Sequence, residues 1–220
     1  MICTVTATKG GVGKSTLLIN LAVELLKKKH PLFLLDSDKQ GSLSKWASIR
    51  QMMDLPEIST ASATGKGLVE LAQLQSKNNK LVLVDTAGVD SKTTRTILLE
   101  SDFVLTLSAP SPLDLWEISE LLDICKGATK VRKKDLPTAL VFNRVSTHSK
   151  VTSLQDAKDF LTENLIFPTY IFEANLKERI SFQHSLREGK GVSEYTPKDI
   201  NATHEVERLY IEFVKLISKK

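Results

Sequence analysis

Two lysines, three glycines and two hydroxyls crowd into Lys9-Gly10-Gly11-Val12-Gly13-Lys14-Ser15-Thr16, a combination suited to holding a polyphosphate. Gly10, Gly11 and Gly13 lack a Cβ, so backbone N–H groups can close around phosphate oxygens. Lys14 supplies a point charge for β- and γ-phosphates, and Ser15 a hydroxyl for Mg²⁺. A helix starting near Lys14 adds its positive dipole end and its unpaired N–H donors. The ordinary phosphate loop opens on glycine, where this chain has Thr8 followed by an extra cation, Lys9. Lys14 already serves the phosphates from below. Lys9 is therefore available to reach a nucleotide held by a second subunit, as an arginine finger does in trans.

Carboxylates complete the set. Leu34-Leu35-Asp36-Ser37-Asp38-Lys39-Gln40-Gly41-Ser42 ends an apolar run in two closely spaced acids, which are costly to place together unless a cation or water uses them. Leu81-Val82-Leu83-Val84-Asp85-Thr86-Ala87-Gly88 is a second apolar run ending in an acid, the arrangement in which Asp85 holds the Mg²⁺ shell. Gly88 is placed to offer its N–H to a γ-phosphate, which would make it a switch hinge. No glutamine stands where it would orient water, and no arginine finger in cis is evident. These features predict slow hydrolysis, the behaviour of a timer.

The elements that must position these groups are legible as alternating strand and helix patterns. Ile2–Ala7, Pro31–Leu35, Lys80–Val84, Phe103–Leu107, Thr138–Phe142 and Thr169–Phe172 read as strands, mostly apolar at successive positions, as strands buried on both faces are. Leu17–Lys28, Leu43–Met53, Gly67–Gln75, Thr93–Glu100, Leu113–Cys125, Ser153–Glu163, Glu178–Arg187 and Glu205–Ile217 read as helices. The expected fold is a single-domain α/β, doubly wound, mostly parallel sheet, with ligands at the carboxyl ends of its strands. Its 220 residues suffice for one substantial core and not for two large domains. A net charge of +4 permits nucleic-acid binding without arguing for it. Cys3 and Cys125 belong to no CxxC, which speaks against zinc or a metal cluster, and both are expected to pack as small apolar residues. No apolar run reaches the length of a membrane span, and the chain enters its first strand at once, so an intracellular location is expected.

The glycine loop resembles the deviant phosphate loop, KGGxGK followed by Ser or Thr, of the ParA/MinD family of dimerising ATPases. The likeness runs from Ile2 to about Ile217. It implies ATP and Mg²⁺ as cofactors, bound by one P-loop ATPase domain over residues 1–220 that lacks the N-terminal helix-turn-helix of larger ParA proteins. Asp36-Ser37-Asp38 resembles the family's DxDPQ motif, with Lys39 in the place of proline. By that resemblance Asp38 polarises the attacking water and Asp36 supports Mg²⁺ through water. Catalysis would then rest on Lys9, Lys14 and Asp38, and metal binding on Ser15, Asp36 and Asp85. Nucleotide contacts would come from Gly10 to Thr16 and from Gly88. Asn143 stands where the family places an adenine-binding asparagine, with Arg144 packing on the ring, although an ordinary strand-end turn serves equally. Ala109-Pro110-Ser111-Pro112-Leu113-Asp114-Leu115-Trp116 is similar to a stretch of the small, ParF-type partition proteins that lies at the dimer interface. The same residues also make a turn and a helix cap.

The resemblance further implies an ATP-dependent homodimer that binds DNA non-specifically in the cytoplasm, on the nucleoid. A centromere-binding partner, ParB-like or ParG-like, would stimulate hydrolysis in plasmid or chromosome partition. Candidate DNA contacts are Lys177, Arg179, Arg187 and Lys190, with Arg179-Ile180-Ser181 similar to the R-L-S of larger relatives. Lys215, Lys219 and Lys220, and a cluster read as one loop, Lys126, Lys130, Arg132, Lys133 and Lys134, are the others. Val206, Leu209, Tyr210, Phe213, Leu216 and Ile217 recur at helical spacing, which in MinD serves membrane binding. Here the broad stripe predicts docking on the core, and no membrane is expected. Trp46 and Trp116 are read as packing residues. The rival readings are a MinD-like membrane switch, an ATPase positioning another cargo, and a metabolic or kinase member of the wider fold.

Overall fold

The computed structural model describes residues 1–88, 91–148, 153–165 and 167–218, so Lys219 and Lys220 lie outside the described residues. Strands β1 (Ile2–Thr6), β2 (Leu32–Asp36), β3 (Thr60–Ser62), β4 (Leu81–Asp85), β5 (Phe103–Ser108), β6 (Thr138–Phe142) and β7 (Thr169–Ile171) form one parallel sheet of seven, in the order β3-β2-β4-β1-β5-β6-β7. Helices α1 (Lys14–Lys27), α2 (Ser42–Met52), α3 (Gly65–Lys77), α4 (Lys92–Glu100), α5 (Pro112–Arg132), α6 (Ser153–Asn164), α7 (Ile180–Arg187) and α8 (Ile200–Ile217) cover both faces. The β1 strand lies between β4 and β5, so the loop leaving its carboxyl end opens near the middle of the sheet, where doubly wound folds bind ligands.

The two-residue period of a strand sorts the core into layers. Cys3, Val5, Leu34, Leu83, Leu105 and Val141 point to the side of α1, α2, α7 and α8, where they meet Leu17, Leu21, Trp46, Phe182 and Phe213. Ile2, Phe33, Leu35, Val82 and Val84 face α3 and α4, and Val104, Leu140 and Phe142 face α5 and α6. The stripe on α8 belongs to the first layer. Val206, Leu209 and Phe213 are buried, and the Phe213 ring meets Phe103 edge-on at 6.1 Å. Cys3 and Cys125 are buried and outside any disulfide, packed in this core.

All six expected strands are present. The seventh, β3, is a short edge strand of Thr, Ala and Ser, which carries no apolar signal. The cluster read as a loop is corrected: α5 continues to Arg132, so Lys126, Lys130 and Arg132 lie on its last turns. Its C-cap, Lys133, adopts a left-handed φ of 52° without glycine, which hid the boundary. The α8 helix starts at Ile200, earlier than expected, because Asp199 caps it by accepting from the N–H of Ala202 at 3.0 Å. Trp116 is also corrected. It does not pack; it stands 62% exposed beside Leu113 at 63%.

A buried cation pins α2 to the segment after α7. Arg50 is 1% exposed and makes a two-pronged pair with Glu194 at 2.8 and 2.9 Å, while donating to the carbonyls of Gly189 and Pro56. Gly189 sits at φ +66°, and a Cβ there would meet the Arg50 Cα and N at 2.5 Å. Gly189→Ala should therefore lower the free energy of unfolding by more than ~2 kcal/mol, since both strain and overlap with backbone oppose it. Urea titration followed by circular dichroism checks this, and a wild-type midpoint would show that the contact yields freely.

Candidate functional site

The phosphate loop runs from the end of β1 into α1. Gly13 is the residue before the helix, with φ +96°, and its carbonyl accepts the first helical bond from Leu17 at 2.9 Å. A Cβ on Gly13 would fall 2.2 Å from Asn143 Nδ2. That amide nitrogen lies beneath the loop and donates to the Val12 carbonyl at 2.6 Å. Asn143 is thus 6% exposed and braces the loop from the end of β6. From the same turn it is Arg144, in a left-handed φ of 55°, that lines the cavity above.

Strand register brings the acids together. Asp36 and Asp85 are direct partners across β2 and β4, and Asp85 also pairs with Val5 of β1. The Asp36 carboxylate is buried and engaged: Oδ2 accepts from Ser44 N–H and Ser44 Oγ, both at 2.9 Å, and Oδ1 from Asp38 N–H at 3.2 Å. It ties the acidic loop to the start of α2. Asp38 is partly exposed, accepts from Gln40 N–H at 3.0 Å and lines the cavity. Gly88 lies against the opening of the phosphate loop, a Cβ there being 3.5 Å from the Thr8 carbonyl oxygen.

The cavity over the loop has a volume of about 490 Å³. Gly10, Gly11, Gly13, Lys14, Ser15 and Thr16 form its floor, with Asp38, Gln40 and Ser42 on one side. Lys45 and Arg187 also line it, and neither was read from the sequence as a nucleotide-side residue. Lys45 stands one helical turn past the acidic loop, a spacing that could have suggested it. Nothing in the sequence places Arg187, because it arrives by packing of α7 on α2.

Lys9 does not line this cavity. Its ammonium turns to α5, 2.8 Å from Glu117 Oε1 and 3.6 Å from Asp114 Oδ1, and first Glu117, then Asp114, hold its pKa above the ordinary lysine value. Asp114 and Glu117 are three apart, so one face of α5 presents both. Ser111 caps that helix by accepting from Asp114 N–H at 3.3 Å. The structure therefore gives Asp114 an ionic role besides its place in the first turn, and adds Glu117, which no motif in the sequence marks.

Ser15 Oγ donates to Asp85 Oδ2 at 2.6 Å, while Asp85 Oδ1 is buried with no hydrogen-bond partner among the described residues. A buried carboxylate oxygen left open beside a serine hydroxyl fits Mg²⁺, which takes few protein ligands and fills its shell with water and substrate phosphates. Among the described residues no group of three or more His, Cys, Asp or Glu is arranged to hold a metal by itself. Burial pushes the Asp85 carboxyl up from 3.8 to about 6, against the Ser15 hydrogen bond and the Lys14 charge. A carboxyl raised in the folded state keeps its proton better than in the unfolded chain. Its contribution to stability is full below about pH 3.8 and is lost as pH rises through about 6. Asp85→Asn should remove that fall, on the order of 2–3 kcal/mol, from the stability profile of the nucleotide-free protein. Thermal midpoints across this range are the measurement, and an unaltered slope would contradict the assignment.

Comparisons with known proteins find relatives along most of the chain. The family model described as VirC1 protein matches residues 1–207. The chain is similar to the maintenance of carboxysome distribution protein A of Halothiobacillus neapolitanus, 27% identical over 207 residues, covering 94% of this chain and 93% of that protein. It is equally similar to the protein ParA of Rhizobium radiobacter, 27% identical over 94% of this chain and 91% of that protein. Among solved structures, a putative plasmid partition protein of Borrelia burgdorferi bound to AMPPNP superimposes with a TM-score of 0.68 at 18% identity, covering 97% of this chain and 98% of that one.

Proposed function

Because the chain belongs to the VirC1 protein family, within the ParA/MinD group of partition and positioning ATPases, we propose that it works as an ATP-dependent dimer that binds DNA without sequence preference and segregates a plasmid or chromosomal cargo. The observation that carries the dimer is the position of Lys9. A lysine inside a phosphate loop, yet turned out of its own cavity, is consistent with use at a site outside its own subunit. In the free chain Glu117 and Asp114 hold it; in the dimer the partner's phosphates would take it over.

Within each subunit the N–H groups from Gly10 to Thr16, Val12 included, would cradle the phosphates, and Lys14 would bind the β- and γ-phosphates. Mg²⁺ would be held by Ser15 with Asp85 beside it and Asp36 at water distance, and when bound it supplies neutralising charge at the phosphates. Asp38, open to the cavity, would orient and polarise the attacking water, and Gly88 would sense the γ-phosphate. Arg144 would pack on the adenine, with Asn143 offering its remaining amide oxygen to the base edge.

DNA contact fits the C-terminal third. Lys177, His204 and Arg208 line a cavity of about 260 Å³ beside Arg179, whose guanidinium is occupied by Glu205 at 2.7 Å. Lysine and arginine side chains bind phosphates with steep salt dependence. A membrane role is less well supported: among the described residues no helix is long and apolar enough to cross a bilayer, and the apolar face of α8 is spent on the core. The centromere-binding partner would stimulate hydrolysis, and the dimer would sit on the nucleoid. The same chemistry would serve another cargo, as the name of the carboxysome-distribution relative indicates.

Light scattering with a non-hydrolysable ATP analogue and Mg²⁺, paired with DNA retardation, tests this reading. The wild type should pass from monomer to dimer and retard DNA. Lys14→Ala should weaken nucleotide binding by about 100-fold or more, the loss of its charge-assisted bonds. Lys9→Ala should bind nucleotide with near wild-type affinity yet remain monomeric, and a Lys9→Ala protein that dimerises normally would contradict the trans role.

A further inference from the structure

The far wall of the nucleotide cavity is built from two helices that the phosphate loop does not contain. Trp46 and Ile49 come from α2, and Leu186 and Arg187 from α7. Arg187 is exposed, and among the described residues no carboxylate or carbonyl holds its guanidinium. Its neighbours in charge differ. Arg179 is committed to Glu205, Arg50 to Glu194, and Lys45 to the Gln40 carbonyl at 2.8 Å.

The backbone that carries Arg187 is fixed relative to the loop. Just beyond it, the Gly189 carbonyl accepts from Arg50, and the Lys190 carbonyl from Trp46 Nε1 at 3.3 Å. The next residues are fastened to α1 itself. Val192 N–H donates to Asn20 Oδ1 at 2.7 Å, and Gly191 packs so close to Val23 that a Cβ would lie 3.0 Å away. The helix that begins in the phosphate loop thus anchors the end of α7, and the backbone carrying Arg187 is fixed at the cavity's edge. The cavity lining sets one carboxylate, Asp38, against Lys14, Lys45, Arg144 and Arg187. That excess of positive charge in a concave site matches a polyphosphate.

We propose that Arg187 is a nucleotide-binding residue in cis, its guanidinium gripping phosphate oxygens of bound nucleotide from the α7 side. This rests on the reading of the cavity as the nucleotide site. The planar fork of arginine suits phosphate oxygens, and a partly enclosed site strengthens the bond. Arg187 then serves the nucleotide rather than DNA, as a cis arginine that the sequence did not reveal. It also gives bound nucleotide a direct hold on α7, the helix next to the basic C-terminal surface.

The test titrates fluorescent ATP and ADP analogues with Mg²⁺ into wild type, Arg187→Gln and Arg187→Lys, without DNA, at low and high salt. Arg187→Gln should weaken binding of both analogues roughly tenfold, Arg187→Lys by less, and the salt dependence of the Gln variant should be shallower. Because Arg187 is exposed, melting of the nucleotide-free proteins should be unchanged. Wild-type affinity of Arg187→Gln for both analogues would overturn the proposal. If the wild type itself bound neither analogue, the nucleotide reading of the cavity would fail first, which the wild-type titration reports separately.

Discussion

Backbone amides that must point at an anion cannot also be paired with carbonyls of their own chain, so a phosphate loop is a stretch of polypeptide held open at a cost. Much of the structure around residues 8–16 counters that cost. The β1 strand delivers the loop from the centre of the sheet, flanked on both sides by parallel partners. Asn143 fastens the Val12 carbonyl from below, and the left-handed Gly13 leaves no room for a side chain between them. The α1 helix, buried along much of its length, then directs its amino end at the site. An orphaned carboxylate oxygen on Asp85 is the same kind of cost, tolerated in a buried position where a cation can take it up.

The second consequence concerns what moves. Asp36 organises the acidic loop by binding Ser44, so the loop and the start of α2 form one unit. Arg50 and Trp46, further along α2, carry that unit to the segment after α7 through buried contacts. On the proposed reading, a displacement of the acidic loop by nucleotide would be passed along α2 to the segment after α7. Lys9 offers a second switch. Its two acids on α5 lie next to exposed Leu113 and Trp116, so its release would alter the charge beside an apolar patch suited to burial by another molecule.

How much was legible beforehand follows from how local each signal is. The glycine-rich loop, the acids that close β2 and β4, and the successive apolar residues of the buried strands are written in consecutive residues, and the loop and acids lie at the carboxyl ends of the strands the sequence predicts. Features made by packing were not legible. The edge strand β3 has too few apolar residues to announce itself, and the end of α5 lacks the glycine that usually marks such a boundary. The brace from Asn143, the partnership of Lys9 with Glu117 and the arrival of Arg187 at the cavity all join residues more than a hundred positions apart. Trp116 misled for the opposite reason, since residue type alone favoured burial that its place on α5 denies.

In the proposed dimer each subunit would complete its partner's site with Lys9. A crystal structure of the protein with AMPPNP and Mg²⁺ measures this most directly. A two-fold dimer is expected, in which Lys9 has left Glu117 and Asp114 and its ammonium lies within hydrogen-bond distance of the triphosphate in the other subunit. A nucleotide-bound monomer, or a dimer in which Lys9 still rests on Glu117, would contradict it.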